Sequence, residues 1–325
     1  MTYSVGGLIQ ATDYNGFAST TVGGNVNAIW GNNGSANYGY GQATTLSTMA
    51  VGATVAATDW ANLVNRISSI GAHTGVTITS RTPPAAGNTI TILNNVATDL
   101  SNLFTNRANA VSSGSTISPA TGTWWQATNT PNSAWTITTT HTITFANTNA
   151  AAWFFNSGGL IKWKTNKTTT GTEADTEWNN LATTITGNIF LSGANTTHSI
   201  NGVNYTGTTQ SGGTGTPTTL ATTTGWFNLT TANTTLYDQY SATAPYTSDH
   251  IQILAKVDSN TVPTVLTLST LWVNANTAQP GTTEVITGGA VDVGPTTTVN
   301  YIAPETTNIS NTWGAITISA TTVQT

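Results

Sequence analysis

The stretch AWTITTTHTITF, residues 134–145, decides the fold. Apolar and polar residues alternate along it, with Ile137, Ile143 and Phe145 two or more positions apart and threonines between them. Successive side chains of a strand point to opposite faces, so this alternation predicts a strand with one apolar and one polar face. Threonine is β-branched, which also favours extended structure.

The same alternation returns along the rest of the chain, in LIKWK at 160–164, HIQIL at 250–254 and VLTL at 265–268. Turn-forming residues separate these segments, as expected between short strands. Repeated short strands at this spacing predict a β-sandwich. The expected fold is therefore mainly β, with a β-sandwich-like C-terminal part and a smaller helical N-terminal region.

Two short helices, at 150–156 and 175–185, are predicted to interrupt the strands, and a long loop or hairpin tip is predicted at 195–218, where Gly, Thr and Asn dominate. The stretch 112–123, rich in Ser, Gly, Thr and Pro, reads as a linker. We therefore expect a helical docking and assembly domain at 1–115. A Thr/Asn-rich β domain is expected at 116–325, and it could be divided near 195–218.

Helical signals concentrate before the linker. In TDWANLVNRISSI, residues 58–70, the apolar residues recur at helical spacing, Thr58 is the expected N-cap and Gly71 the expected stop. A second helix is predicted from Ile90 to Val111. The loop between them contains Pro83 and Pro84, so the two helices are expected to pack as a hairpin.

A short repeat marks helix starts. GGLIQATDYNGF at 6–17 matches GATVAATDWANL at 52–63, with a weaker echo, DTEWNNL, at 175–181. Each copy reads as an extended approach, a Thr/Asp cap and an aromatic residue in the first turn. After the first copy, Val22 to Trp30 could extend the helix.

Composition excludes several functions. Only 6% of residues are charged, against about 25% in an average soluble domain. Seven scattered Lys and Arg residues form no basic patch, so neither nucleic acid nor an anionic membrane surface is an expected partner. The chain has no cysteine, which excludes disulfides and thiol chemistry, and no apolar stretch near the roughly 18 residues of a membrane span.

Catalytic constellations are weak. The tightest acidic cluster, Glu173, Asp175 and Glu177, reads as a helix N-terminal turn, where acids are favoured. His141 and His250 open strand-like runs and read as hydrogen-bonded strand residues, and no metal pair, nucleophile elbow or phosphate loop appears. The sequence therefore predicts no enzyme, no metal and no cofactor.

The tryptophans have two interpretations. They could form a sugar-binding platform, or they could anchor a thin β core, where large rings supply most of the burial. The second interpretation suits most of them, including Trp163 and Trp226. Trp124 and Trp125 are the candidates for glycan contact, because adjacent strand residues point to opposite faces.

Three motifs in order carry a family likeness. They are VGGLIQATDYNGF, NVNAIWGNNGSANYGYGQ and VGATVAATDWANLVNRISSIGAHTG, and AWFFNSGGLIKWKTNKTTTGTEADTEWNNL follows later. Over residues 4–75 and 140–190 the chain resembles virion structural and tail-fibre proteins of contractile-tailed bacteriophages, particularly those infecting cyanobacteria. The resemblance implies a particle component without known catalysis.

The expected function is therefore that of a structural protein in the tail, baseplate or fibre of a phage virion, made and assembled in the host cytoplasm. A chain poor in charge suits permanent assemblies, because buried Thr and Asn avoid the desolvation cost of charges. We expect a homo-oligomer, a trimer or hexamer, with other virion proteins as neighbours. Candidate docking residues are Tyr14, Trp30, Tyr40 and Trp60, each of which could equally be core.

Three alternatives stay open at this point. The chain could be an adhesin that binds host-surface glycan through its β-region, or a glycan depolymerase that depends on Glu173 or Asp175. A capsid decoration or bacterial surface-layer protein is the third alternative.

Overall fold

A computed structural model describes residues 11–19, 25–31, 39–87, 95–125, 135–168, 173–193, 195–275 and 293–324. The chain is mainly β, its sheets are antiparallel and its helices lie mostly in the N-terminal part, which confirms the predicted fold class. The helices are α1 Ala11–Ala18, α2 Val26–Trp30, α3 Ala57–Thr74, α4 Val96–Thr105, α5 Thr148–Asn156 and α6 Glu173–Asn179. A π-helical turn, Asn180–Ile185, continues α6, and a 3-10 turn spans Trp226–Asn228.

After α4, the described part of the chain forms thirteen strands. They are β1 Ser113–Trp125, β2 Trp135–Thr144, β3 Leu160–Asn166, β4 Asn188–Leu191, β5 His198–Ile200, β6 Val203–Tyr205, β7 Thr208–Ser211, β8 Thr219–Leu220, β9 Thr234–Tyr240, β10 His250–Val257, β11 Val265–Asn274, β12 Val293–Pro304 and β13 Thr317–Gln324.

Two sheets face each other. One has the order β1-β12-β3-β4-β7 and the other the order β13-β2-β11-β10-β9-β8. Strand β1 of the first sheet contacts β13 and β2 of the second, and at the opposite end β7 contacts β8. Between them, the indole Nε1 of Trp272 on β11 donates to Thr297 Oγ1 on β12 over 3.3 Å. The two sheets therefore form a sandwich. The edge of the first sheet at β1 lies over the edge of the second at β13 and β2, and the opposite edges meet at β7 and β8.

One hydrophobic core joins the helices to the sandwich. The same buried cluster contains Trp60 and Leu63 of α3, Phe154 of α5, and Trp163 and Leu268 of the sheets. A smaller cluster lies where the π-helical turn, which contacts both β3 and β10, meets Trp272. The hairpin β5–β6 covers part of the outer face of the five-stranded sheet through a third cluster around Phe190 and Tyr205.

The repeated helix start is confirmed in its second copy, where α3 begins at the alanine of the Ala-Thr-Asp triplet. In the first copy the triplet lies within α1, and the residues before Ala11 lie outside the described residues. The predicted Thr58 N-cap is wrong by two residues, since the Asp59 carboxylate accepts a hydrogen bond from the Ala56 backbone N–H over 2.8 Å. In the third copy, α6 begins two residues before Asp175, and Trp178 is buried.

Both long helices end elsewhere than predicted. Helix α3 runs past Gly71 and stops at Gly75, whose φ of 73° is the left-handed C-cap conformation that glycine adopts readily. Helix α4 ends at Thr105 rather than Val111, because the side chains of Asn106 and Arg107 donate to the last helical carbonyls. Residues 88–94, including the predicted start at Ile90, lie outside the described residues.

The predicted linker at 112–123 is wrong, because β1 occupies it. Strand β1 pairs antiparallel with β12 from Ser113↔Pro304 to Trp125↔Val293. Its glycines allow close approaches: a Cβ at Gly122 would lie 2.2 Å from Thr139 Cγ2, and one at Gly114 would lie 2.6 Å from the Pro304 carbonyl oxygen. Glycine here serves tight packing of a strand rather than a flexible connection.

Other expectations vary in outcome. The strands predicted at 134–138 and 141–145 form one strand, β2, and those at 160–164, 250–254 and 265–268 are confirmed. The helix predicted at 150–156 is confirmed as α5. Of the two structures predicted at 195–218, the long loop is wrong and the hairpin is found, because β5 and β6 pair as a hairpin and β7 follows. After α1, the described residues show a separate short helix, α2, while Val22 lies outside them.

Candidate functional site

The outer face of the six-stranded sheet is built around β2. Pairing with β11 aligns Ile143 with Leu266 and Ile137 with Trp272, so these residues point into the sandwich. The even-numbered residues of β2 point outward, and each of them is threonine: Thr136, Thr138, Thr140, Thr142 and Thr144. Same-face residues along a strand lie about 6.6 Å apart, so β2 carries a regular row of hydroxyl and methyl groups.

The strands on either side extend this row into a patch. Thr140 lies opposite Ser269 on β11 and Thr321 on β13, and the hydroxyl oxygens of Thr140 and Ser269 are 3.4 Å apart. We call this outward surface of β13, β2 and β11 the threonine face. Its remaining members on β11 and β13 are hydroxyl or aliphatic residues: Val265, Thr267, Leu271, Val273, Thr317, Ser319 and Val323.

None of the described positions on the threonine face carries a formal charge. The nearest outward charges lie on the neighbouring strands, Lys256 on β10 and Asp238 on β9. Asp238 is buried and accepts a hydrogen bond from Gln252 Nε2 over 3.3 Å. Covering the threonine face would therefore desolvate hydroxyls and aliphatic groups rather than ions, which is far less costly.

The outer face of the five-stranded sheet differs. Phe190 and Tyr205 meet there with ring centroids 5.2 Å apart, so the β5–β6 hairpin already covers part of it. Lys162 lies opposite Phe190 in the strand pairing, and its Nζ is 5.7 Å from the ring centroid. This face carries formal charge and its own cover, and it is the poorer candidate for an assembly surface.

The four aromatic residues predicted for docking lie in the core instead. The exposed fractions of Tyr14, Trp30, Tyr40 and Trp60 are 1%, 4%, 0% and 0%. Tyr14 meets Trp60 edge-on at 5.3 Å, and the Tyr40 hydroxyl donates to the Arg107 carbonyl over 2.5 Å. Burial raises the pKa of both tyrosines. The core interpretation is therefore the correct one for all four, because hydrophobic packing has used the surface that docking would need.

The tryptophans expected in the core are found there. Trp163 and Trp226 are 1% and 3% exposed. Trp124 and Trp125 close β1, but their side chains lie outside the described residues, so their role in glycan contact stays a prediction.

A buried hydrogen bond between His73 and Glu305 ties the helical region to the C-terminal segment. His73 Nδ1 of α3 lies 2.7 Å from Glu305 Oε1, just after β12, and the two side chains are 0% and 4% exposed. Glu305 also accepts from the backbone amides of Thr307 and Asn308 over 2.5 and 3.1 Å. Burial alone would raise the pKa of Glu305, but these hydrogen bonds and His73 outweigh it and lower that pKa to about 2.

An ion pair holds the loop after α3 to α4. Arg81 Nη2 lies 2.5 Å from Asp99 Oδ2, with both side chains almost fully buried. Asp99 also accepts from the Thr79 amide over 3.1 Å. Helices α3 and α4 are in contact, as the predicted hairpin requires.

The candidate acidic residues differ in their surroundings. Glu177 is buried and accepts from Ser241 Oγ over 2.5 Å. Glu173 is exposed on α6, and the side chain of Asp175 lies outside the described residues. His141 Nε2 lies 3.1 Å from the Ala120 carbonyl oxygen, a bond between the two sheets, and burial lowers the pKa of His141 to about 4. His250 Nδ1 lies 3.2 Å from the Ser248 carbonyl oxygen.

The described part of the chain holds no group of three or more His, Cys, Asp or Glu side chains placed to bind a metal ion. None of its helices is long and apolar enough to cross a membrane.

Comparison with protein-family models, with curated proteins and with solved structures finds no match for this chain.

Sequence reasoning missed the threonine face, although its signal is visible. The run Thr136, Thr138, Thr140, Thr142 and Thr144 has an exact period of two. The apolar residues of this alternation predicted the strand and the side of it that faces the core. The threonines between them predict, by the same argument, an outward surface without charge.

Proposed function

We propose that this chain is a structural protein that assembles with copies of itself through the threonine face. The carrying observation is the absence of formal charge from the described outward positions of three adjacent strands, β13, β2 and β11. Paired hydroxyls such as Thr140 and Ser269 can exchange hydrogen bonds with an identical surface, and the methyl groups between them lose contact with water.

The size of this face supports the proposal. Three strands spaced by about 4.8 Å, with neighbouring side chains on both flanks and rows about 25 Å long, present several hundred Å² of flat surface. Two such surfaces together approach the roughly 1,000 Å² that a specific interface buries. A face that packs on an identical face forms a two-fold pair. Of the predicted trimer and hexamer, the hexamer accommodates this contact, as three such pairs joined by further contacts.

The setting we propose is the virion of a tailed bacteriophage, in its tail, baseplate or fibre. The support is the ordered likeness of residues 4–75 and 140–190 to virion structural proteins, together with a composition suited to permanent contacts. Tracing the chain in a cryo-EM reconstruction of the intact particle tests this setting. Density between tail, neck or baseplate proteins is expected, and density in the capsid shell would overturn the tail assignment.

Self-assembly is tested on the full chain by light scattering coupled to size-exclusion chromatography. A mass of six times 33.6 kDa, or of two times if only the pair forms, is expected for the unchanged protein. Thr140→Glu and Thr140→Lys each place a charge at the centre of the threonine face, and both should shift the protein toward the monomer. The matched control is Thr216→Glu, which puts the same charge on an exposed loop.

The two signs of charge separate the outcomes. If both Thr140 variants dissociate the oligomer and Thr216→Glu does not, the face packs against a surface without charge, as an identical copy requires. A monomeric unchanged protein at tens of micromolar, or an oligomer indifferent to both Thr140 variants, would overturn the proposal.

A further inference from the structure

A crevice lies where the helical region meets the sandwich, well apart in sequence from the threonine face. Its volume is about 290 Å³. Its walls come from the end of α4, the C-terminal end of α5, the segment 195–198 and the 3-10 turn Trp226–Asn228. Ligand pockets in proteins span about 300–1,000 Å³, so this crevice suits one small ring rather than an extended chain.

The lining is rich in neutral hydrogen-bonding groups. Side-chain amides line it at four positions, Asn109, Asn156, Asn195 and Asn228, together with the hydroxyls of nearby threonines. Arg107 is its formal cation, and its described lining includes no Asp or Glu. Amides and hydroxyls both donate and accept, which matches the hydroxyl groups of a sugar.

An aromatic floor completes the crevice. Phe155 and Phe227 both line it, with ring centroids 6.5 Å apart and planes at 70°. Phe155 is stacked on Trp226 at 5.2 Å, so its ring is fixed from behind. An apolar ring surface beside polar groups is the combination that ligand pockets use to bury one face of a molecule and orient the other.

The polar wall is preformed by hydrogen bonds within the protein. Asn109 Oδ1 accepts from the Ser199 amide over 2.9 Å, and Ala110 forms a bridge with Ile200. Asn228 is fixed by the Gly225 amide over 2.7 Å. A site whose walls are already held loses little conformational entropy on binding.

Two side chains in the crevice are suited to accept hydrogen bonds. Asn156 is buried and donates its Nδ2 to the Gly39 carbonyl over 3.2 Å, which leaves its Oδ1 to accept. His198 is buried, and its Nδ1 lies 2.9 Å from the Thr196 carbonyl oxygen. Because burial lowers the pKa of His198, the ring is neutral near pH 7 and its Nε2 accepts.

We propose that this crevice binds one pyranose unit of a carbohydrate. The apolar face of the sugar packs on Phe227, whose ring rests against the buried Phe155. The sugar hydroxyls bond to Asn156 Oδ1, His198 Nε2 and the amide of Asn195. The cation at Arg107 also admits a sugar that bears a carboxylate. This binding is independent of self-assembly, since the crevice and the threonine face share no residue.

The test uses the full chain and saturation-transfer NMR with methyl glycosides of glucose, galactose, mannose, N-acetylglucosamine and galacturonic acid at millimolar concentration. At least one should receive saturation from the protein, and a neutral and an acidic sugar are both compatible with the site. Ala108→Phe fills the crevice without removing a side-chain hydrogen bond, and binding should weaken about tenfold or more. The matched control, Asn233→Ala, changes an exposed asparagine outside the crevice and should leave binding unchanged.

Circular dichroism melting checks that each variant folds. If Ala108→Phe does not fold, the pair Asn195→Ala and Thr196→Ala takes its place, because both residues are exposed at the rim. No saturation of any of the five sugars would overturn the proposal. Saturation that survives with equal strength in the filled or rim variants would also overturn it. Neither result depends on the oligomeric state.

Discussion

The helical region and the sandwich hold their polar groups in different ways. In the helical region, individual side chains clamp distant backbone segments: Asn15 exchanges two hydrogen bonds with Met49, Asn27 two with Leu46, and Gln42 two with Ser310. In the sandwich, backbone ladders do this work, and outward threonines sit beside one another in equivalent positions. One region therefore depends on particular side chains, whereas the other depends on a pattern.

This difference predicts where single substitutions act. Removing one partner of a buried clamp leaves a backbone N–H and C=O without bonds in a dry environment, which is costly. Replacing one outward threonine leaves every ladder bond in place. The helical region should thus be sensitive to single changes in stability, and the threonine face should be sensitive mainly in assembly.

The largest expected effect is at the junction of the two regions. Glu305→Ala removes the partner of His73 and the acceptor of the Thr307 and Asn308 amides. A buried group left without its hydrogen-bond partner costs about 1–3 kcal/mol, and Glu305 has three such partners, so the free energy of unfolding should fall by about 3 kcal/mol. Urea unfolding followed by circular dichroism at pH 7 measures it.

The matched control is another carboxylate with several bonds. Asp258 accepts from the Thr264 and Val265 amides over 2.9 Å each, but it lies in an exposed turn between β10 and β11. Asp258→Ala should cost about 1 kcal/mol, because water replaces the lost bonds. Equal costs for Glu305→Ala and Asp258→Ala would mean that the junction is not a buried clamp.

The next effect concerns a sandwich residue that, like the side chains of the helical region, bonds to a distant backbone segment. His141 bonds across the sheets to Ala120, and its pKa is about 4 in the folded chain, against an ordinary value of 6.5. Between these values the unfolded chain binds more protons, so the stability that His141 contributes is complete above pH 6.5 and is lost as the pH falls toward 4. The shift corresponds to a loss on the order of 3 kcal/mol.

Urea unfolding at several pH values from 7 to 4.5 tests this, since the Glu305 carboxylate titrates mainly below that range. His141→Gln should make the free energy of unfolding less dependent on pH, while some dependence persists through His198, whose pKa burial also lowers. The control is His250→Gln, at a partly exposed ring stacked on Tyr240. An unchanged pH dependence in His141→Gln would show that His141 is not held neutral.

The sequence predicted the elements whose residues repeat with a regular period. It did not predict contacts between residues that lie far apart in the sequence. The alternation around Ile137 and Ile143 located β2, and the helical spacing of Trp60 and Leu63 located α3, because both depend on neighbours in sequence. The clamps could not be foreseen, since Gln42 and Ser310 lie 268 residues apart. The supposed linker failed for a related reason: Gly114 and Gly122 suggested flexibility, but their partners Pro304 and Thr139 make them points of close packing.

The smallest expected effect tests the comparison on two adjacent residues. Thr139 points into the sandwich, is 1% exposed and lies 3.2 Å from Thr322 through their hydroxyl oxygens, whereas Thr140 points outward onto the threonine face. Thr139→Ala should lower the free energy of unfolding by about 1–2 kcal/mol, and Thr140→Ala should change it by at most about 0.5 kcal/mol. Urea unfolding at protein concentrations below those that support association keeps assembly out of the measurement. A slip of one residue in the pairing of β2 would exchange its inward and outward faces. A larger loss of stability from Thr140→Ala than from Thr139→Ala would therefore show that Thr140 points inward, and the threonine face would not exist.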